Sequence, residues 1–200
     1  MIALLTVLFT APTLAAEDPR VSVAMDTGMR PLGLPLTSSL LGGGLRVGAI
    51  FGPLTPFAGG SATWISASTD SGSSIRADGV FFTGQAGLRW RTARLEAAET
   101  YLLAGALLAD HALSLTVKDE FDRVDGVGFR SGLGGFVGGG ADAALSDRVS
   151  IGVEAGVAYT GANLRLFQRF ERESFDSTVG GGLIWTYTHL RLTWWIGGAS

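Results

Sequence analysis

From Val149 to Gly161 the chain reads VSIGVEAGVAYTG. Val149, Ile151, Val153, Ala155, Val157 and Tyr159 share one parity, and Ser150, Gly152, Glu154, Gly156, Ala158 and Thr160 share the other. A period of two places these sets on opposite faces of an extended strand, one apolar and one small or polar. The stretch from Val80 repeats the pattern, with Val80, Phe82, Gly84, Ala86, Leu88 and Trp90 opposing Phe81, Thr83, Gln85, Gly87, Arg89 and Arg91. Weaker copies run over Arg20 to Met29, Gly43 to Gly52, Pro56 to Ser68, Arg94 to about Thr116, Phe129 to Leu145 and Val179 to Ile196, making eight strands.

The connections between them alternate in length. Long ones span Arg30 to Gly42, Thr69 to Asp78, Val117 to Gly128 and Ala162 to Thr178; short ones are Pro53 to Thr55, Thr92 and Ala93, and Ser146 to Arg148. Tight turns at one end and long loops at the other describe an antiparallel meander of the transmembrane-barrel kind. The short turns also fix register. A Thr92 and Ala93 turn predicts Trp90 opposite Leu95, Leu88 opposite Ala97 and Arg89 opposite Glu96. A Ser146 to Arg148 turn predicts Ala143 opposite Ile151 and Ala141 opposite Val153. In the last strand Leu183, Trp185 and Tyr187 share a parity that Leu190, Leu192, Trp194 and Ile196 do not, which predicts a β-bulge near His189.

Composition decides which face meets which solvent. The 200 residues, enough for one domain, are 46% hydrophobic and 16% charged, with 30 glycines and Lys118 as the single lysine. A soluble domain carries about a quarter charged residues, so a face of Gly, Ser, Thr and Ala with isolated charges makes a poor solvated surface. Turned inward, that face fills a narrow membrane barrel while the apolar face meets lipid. No run of 18 apolar residues exists, which excludes a helical membrane protein despite a mean hydropathy of +0.32. Aromatic residues near the two ends are read as interfacial girdles: Phe51, Phe57, Trp90 and Trp194 at the short-turn end, and Phe82, Phe129, Tyr159 and Trp185 at the long-loop end.

A barrel of eight strands has a bore that side chains just fill. Arg46, Arg89, Arg91, Glu96, Arg130, Asp142, Glu154 and Arg191 are the expected members of an interior charge network, with inward glycines making room for them. Glu154 and Arg191 are expected to pair. The net charge of −3 argues against a nucleic-acid partner, and the absence of cysteine removes disulfides and thiolate chemistry. Residues 2–16, IALLTVLFTAPTLAA, read as a secretory signal peptide cut near Ala16, leaving 17–200 as the barrel domain of an exported protein.

The stretches Phe136 to Gly161 and Val80 to Ala98, each a Gly-rich or alternating strand around a tight polar turn, resemble the small eight-stranded outer-membrane barrels, the group that includes the membrane domain of outer membrane protein A. The resemblance implies a bacterial outer-membrane location. The chain departs from that group in ending WWIGGAS rather than on a terminal aromatic, so the usual assembly signal is either shifted to Trp194 or Trp195 or absent.

Other chemistry is weakly marked. Gly132 to Gly140 lacks the G-x-G-x-x-G spacing and a P-loop lysine, and two histidines are too few for a convincing metal site, so neither cofactor nor metal is expected. The acidic stretch Lys118 to Asp125 lacks the ligand spacing of a calcium loop. Barrel enzymes that trim lipid A acyl chains carry His-x-Ser; here His111 and Ser114 are three apart and point to opposite strand faces. Arg165, Arg169 and Arg172 lie in the longest connection and are candidates for external recognition of phosphates. The expectation is an all-β, eight-stranded antiparallel up-and-down transmembrane β-barrel, monomeric and without enzymatic activity. Its partners are outer-membrane lipid and lipopolysaccharide, and its role is structural or recognition through external loops. A narrow channel for small solutes and a barrel enzyme modifying lipid A are the alternatives, with a soluble secreted ligand-binding barrel third.

Overall fold

Unpaired N–H and C=O groups along a sheet edge each cost several kcal/mol in hydrocarbon, so a sheet that enters a membrane must close on itself. The computed structural model describes residues 20–29, 37–69, 74–118, 123–170 and 173–197. They form β1 (Val21–Met29), β2 (Thr37–Ala49), β3 (Leu54–Thr69), β4 (Ser74–Arg94), β5 (Ala98–Lys118), β6 (Arg123–Ser146), β7 (Val149–Phe170) and β8 (Glu173–Ile196). Each strand is antiparallel to its sequence neighbours, and β8 returns to β1 to complete a closed barrel.

The stagger can be read from the pairing. From His189, register partners through β1, β2 and β3 lead by Gly28, Gly42 and Thr63 to Phe81 on β4. The other way round they lead by Glu154, Gly140 and Tyr101 to Arg91, ten residues further along the same strand. A shear of ten over eight strands corresponds to a tilt of about 40°, within the usual range for membrane barrels.

Met25, Leu45, Leu88, Leu108, Val137 and Val153 are exposed on the outside, while Thr83, Arg89, Asp142, Ser150, Glu154 and Thr193 are buried within. Phe51, Trp90 and Trp194 ring the exterior at the short-turn end, and Trp64, Phe82 and Tyr159 ring it nearer the other end. Along β7, Val149 faces Trp194 and Tyr159 faces Ile184, a separation of ten residues. At about 3.3 Å per residue and about 40° of tilt this is about 25 Å, the height of a bilayer's apolar band.

Several expectations are corrected. The first turn is Gly52 and Pro53 between a Phe51–Leu54 bridge, with Gly52 at φ 61°, a left-handed conformation that favours glycine. β4 runs through Thr92 and Ala93 to Arg94, past an irregularity between Arg91 and Ala93, so Leu88 faces Ala104, Arg89 faces Leu103 and Trp90 faces Leu102. The Ser146 turn has the expected partners, Ala143 with Ile151 and Ala141 with Val153. β8 carries no bulge at His189. Trp185 and Tyr187 keep the inward parity of His189 and Arg191, because the bore at that height holds a buried cluster with Phe81 and Phe136 that takes them in. Trp185 and the half-buried Phe57 therefore leave the girdles for the interior, and the side chain of Phe129 lies outside the described residues. Most of the expected long loops are strand: β7 and β8 stay paired to Phe170 and Glu173, and β5 and β6 to Lys118 and Arg123.

Inward glycines set how closely the walls pack. A β-carbon at Gly134 would collide with the Tyr159 carbonyl and Thr160 Cα, whereas one on the outward Gly84 meets nothing nearer than Leu108 Cβ at 4.0 Å. Gly134→Val is expected to abolish the folded, heat-modifiable band on cold SDS electrophoresis after refolding in detergent, and Gly84→Val to leave it intact. Equal behaviour of the two would contradict this packing.

Candidate functional site

Inside the barrel, charge can persist only where opposite charge is within reach, because the bore excludes bulk water. Glu154 on β7 is 1% exposed. Its Oε2 accepts hydrogen bonds from Arg46 Nη1 on β2 at 2.8 Å and from Arg191 Nη1 on β8 at 3.1 Å. Arg191 Nη2 also donates to both oxygens of Asp142 on β6, at 2.8 and 2.6 Å. Arg89 Nη2 on β4 donates to Asp142 Oδ2 at 2.7 Å and to Glu99 on β5. Arg91 completes that corner, with Nε 3.7 Å from Glu99 Oε2 and Nη2 donating to the Gly52 carbonyl at 2.6 Å. On β1, Asp26 Oδ2 lies 3.3 Å from Arg46 Nε.

Among the described residues, four arginines and four carboxylates thus form one connected array, drawn from every strand except β3. Arg46 Nη2 is 3.5 Å from His189 Nδ1. The same nitrogen lies 4.0 Å from Asp26 Oδ1, so His189 sits between a guanidinium and a carboxylate. Within the array the four guanidinium groups and the four carboxylates balance in number. Tyr101 supports it from beneath: its ring lies 3.8 Å from Arg89 Cζ and 4.8 Å from Arg191 Cζ, both within cation–π range, and its hydroxyl donates to Glu154 Oε2 at 3.4 Å.

Above this layer the bore changes character. Phe81, Leu107, Ala109, Phe136, Ala158 and Trp185 are buried together, with Trp185 edge-on to Phe81 at 5.3 Å. Two cavities of about 20 Å³ flank the arginine layer. One is lined by Ser22, Thr55, Arg89 and Thr193, the other by Thr83, Phe136, Trp185 and His189, and Arg46 borders both. Each has room for about one water.

Of the residues expected in the network, Arg46, Arg89, Arg91, Asp142, Glu154 and Arg191 come together. Glu96 does not: it is exposed in the turn after β4, and Glu99 occupies the corner assigned to it. Arg130 lies on β6, but its side chain is outside the described residues, as are those of Arg165 and Arg169; Arg172 is itself outside them. Arg165 and Arg169 sit on β7 rather than in a loop. Asp26, Glu99, His189 and Tyr101 were not anticipated. Asp26 was within reach of the sequence, since it shares the parity of Ser22 and Ala24 on a strand whose other face is Val21, Val23 and Met25.

The same fold occurs in solved structures. A major outer membrane protein from Thermus thermophilus matches with a TM-score of 0.66 at 16% identity, over 89% of this chain and 99% of that one. CarO from Acinetobacter baumannii matches with a TM-score of 0.50 at 18% identity, over 92% of this chain and 100% of its own. No family model and no curated protein matches the chain. At these identities the likeness is one of fold: an eight-stranded antiparallel barrel of the kind found in bacterial outer membranes.

Glu154, like Asp142, bridges two arginines of the array. Replacing it with Gln leaves Arg46 and Arg191 short of a counter-charge, and breaking a buried pair by removing one partner costs about 3–5 kcal/mol. Urea titration in lipid vesicles is expected to show Glu154→Gln losing that much, while Asp78→Asn, in the solvent-screened pair with Arg76, barely shifts the midpoint. Equal losses would contradict the placement.

Proposed function

We propose that the protein is a monomeric integral outer-membrane barrel whose bore is a structural plug and whose biological contacts are made at its outer rim, with membrane lipid and lipopolysaccharide around it. The observation that carries this reading is the balanced arginine–carboxylate array crossing the bore. A pore for solutes needs a continuous aqueous path, and here the path is broken by side chains whose charges are spent on one another. Recognition then falls to what lies beyond the girdles, where β4 to β8 continue well past the apolar band. Export with cleavage near Ala16 belongs to the same proposal.

No enzymatic role is part of it. Asp110 and Ser114 are exposed on the parity opposite that of His111, so they do not converge with it on one face of β5. The narrow-channel alternative draws on one observation, the two cavities with Arg46 between them. Planar bilayers separate the readings. The intact protein is expected to give no steps above background in molar potassium chloride, whereas Arg46→Ala, which joins the two cavities, gives small resolvable ones. Steady conductance from the intact protein would favour transport, and acyl release from lipid A that His111→Ala abolishes would favour an enzyme.

A further inference from the structure

We propose that the edge of β8 beyond the membrane accepts an extended, basic segment of another protein as an added antiparallel strand. This rests on the reading of the outer rim as the recognition surface and names the kind of partner it takes. β8 pairs with β7 over its length, from Glu173 opposite Phe170 to Trp194 opposite Val149. With β1 it pairs only from Ile196 opposite Val21 to Thr188 opposite Met29. Among the described residues, the part of β8 beyond the outer girdle, Glu173 to Leu183, is therefore bonded on one side alone. In an antiparallel ladder alternate residues direct both N–H and C=O to the same neighbour, so this edge presents a regular row of donors and acceptors.

This chain is too short there to fill that row. Eleven residues of strand, Glu173 to Leu183, extend about 36 Å. Between Met29 and Thr37 lie seven residues, which at full extension reach about 25 Å and must also return to β2. The other intervals at that end, 70–73, 119–122 and 171–172, are shorter still, and residues 1–19 and 198–200 join the barrel at the opposite end, beside Val21 and Ile196. A second copy is also a poor occupant. Inserted the same way up, its β8 would run parallel to the first and bring the same charges.

The edge itself lacks the features that keep strands apart. Glu173 to Leu183 contains neither proline nor lysine, and its pairing with β7 shows no bulge. Its only charged residues are Glu173 and Asp176, so the complement is an extended segment with basic residues. Strand addition of this type draws affinity from the main chain and selectivity from the flanking side chains.

Amide hydrogen exchange on the refolded full chain in detergent micelles tests the proposal. The probe is a synthetic peptide of about twelve residues, alternating Val and Thr with Lys at each end; its control is the same peptide N-methylated at alternate residues. Without peptide, alternate amides between Ser174 and Leu183 are expected to exchange faster than their neighbours. With the probe, but not the control, they slow by about tenfold or more. Uniform protection in the free protein would show the edge already covered and overturn the proposal. Fast alternate amides that ignore the probe, or slow equally with the control, would overturn strand addition. Protection that rises with protein concentration alone would make a second copy the occupant and overturn the partner named here. None of these outcomes depends on the bilayer recordings, which test the plugged-bore reading by themselves.

Discussion

Glu154 is held by arginines from β2 and β8, and Arg191 passes the connection on to Asp142 on β6. That buried contact is the constraint around which the rest of the molecule is arranged. A carboxylate at 1% exposure is tolerable only with cationic donors fixed around it. Those donors are long, which requires the facing wall to be thin. Glycine at 138, 140, 152 and 156 supplies the space: β-carbons there would meet Tyr187, Tyr101 or Asp142 side chains as well as the adjoining backbone.

The exterior follows from the same division of labour. With charge confined to the bore, the outward parity is free to be apolar over the height between the two aromatic rings. Beyond the outer ring that demand ends. Among the described residues the strands differ widely in length, from nine in β1 to 24 in β6 and β8, so the described sheet leaves the membrane as an asymmetric extension rather than an even rim. On the proposed reading, the membrane-embedded part is a closed, self-neutralising support, and other molecules meet the part that differs around the circumference.

Alternation made the strands legible from residues such as Val153 and Leu88; composition turned their apolar face outward, and the cost of bare edges in hydrocarbon closed the barrel. Alternation failed where periodicity carries no information. Thr92 and Ala93 look like a turn, but β4 continues to Arg94, and this shift exchanged Glu96 for Glu99 as the partner of Arg89. Trp185 and Tyr187 are apolar and inward, so hydrophobicity suggested a bulge where the strand is regular. Which arginine meets which carboxylate across the bore depends on the shear, and a stagger of ten residues cannot be deduced from parity. His189 shows the same limit: its neighbours are Asp26 and Arg46, far away in sequence and brought near only by closure.

The inside-out distribution of polarity is tested most directly by two tryptophans near one depth on opposite sides of the wall. Trp64 is 59% exposed on the exterior and Trp185 is 3% exposed in the bore, both near the outer aromatic ring. In vesicles of phospholipid brominated high on the acyl chain, a variant retaining Trp64 alone should lose most of its fluorescence, and one retaining Trp185 alone should keep nearly all of it. Strong quenching of Trp185 with Trp64 untouched would reverse inside and outside and contradict the account.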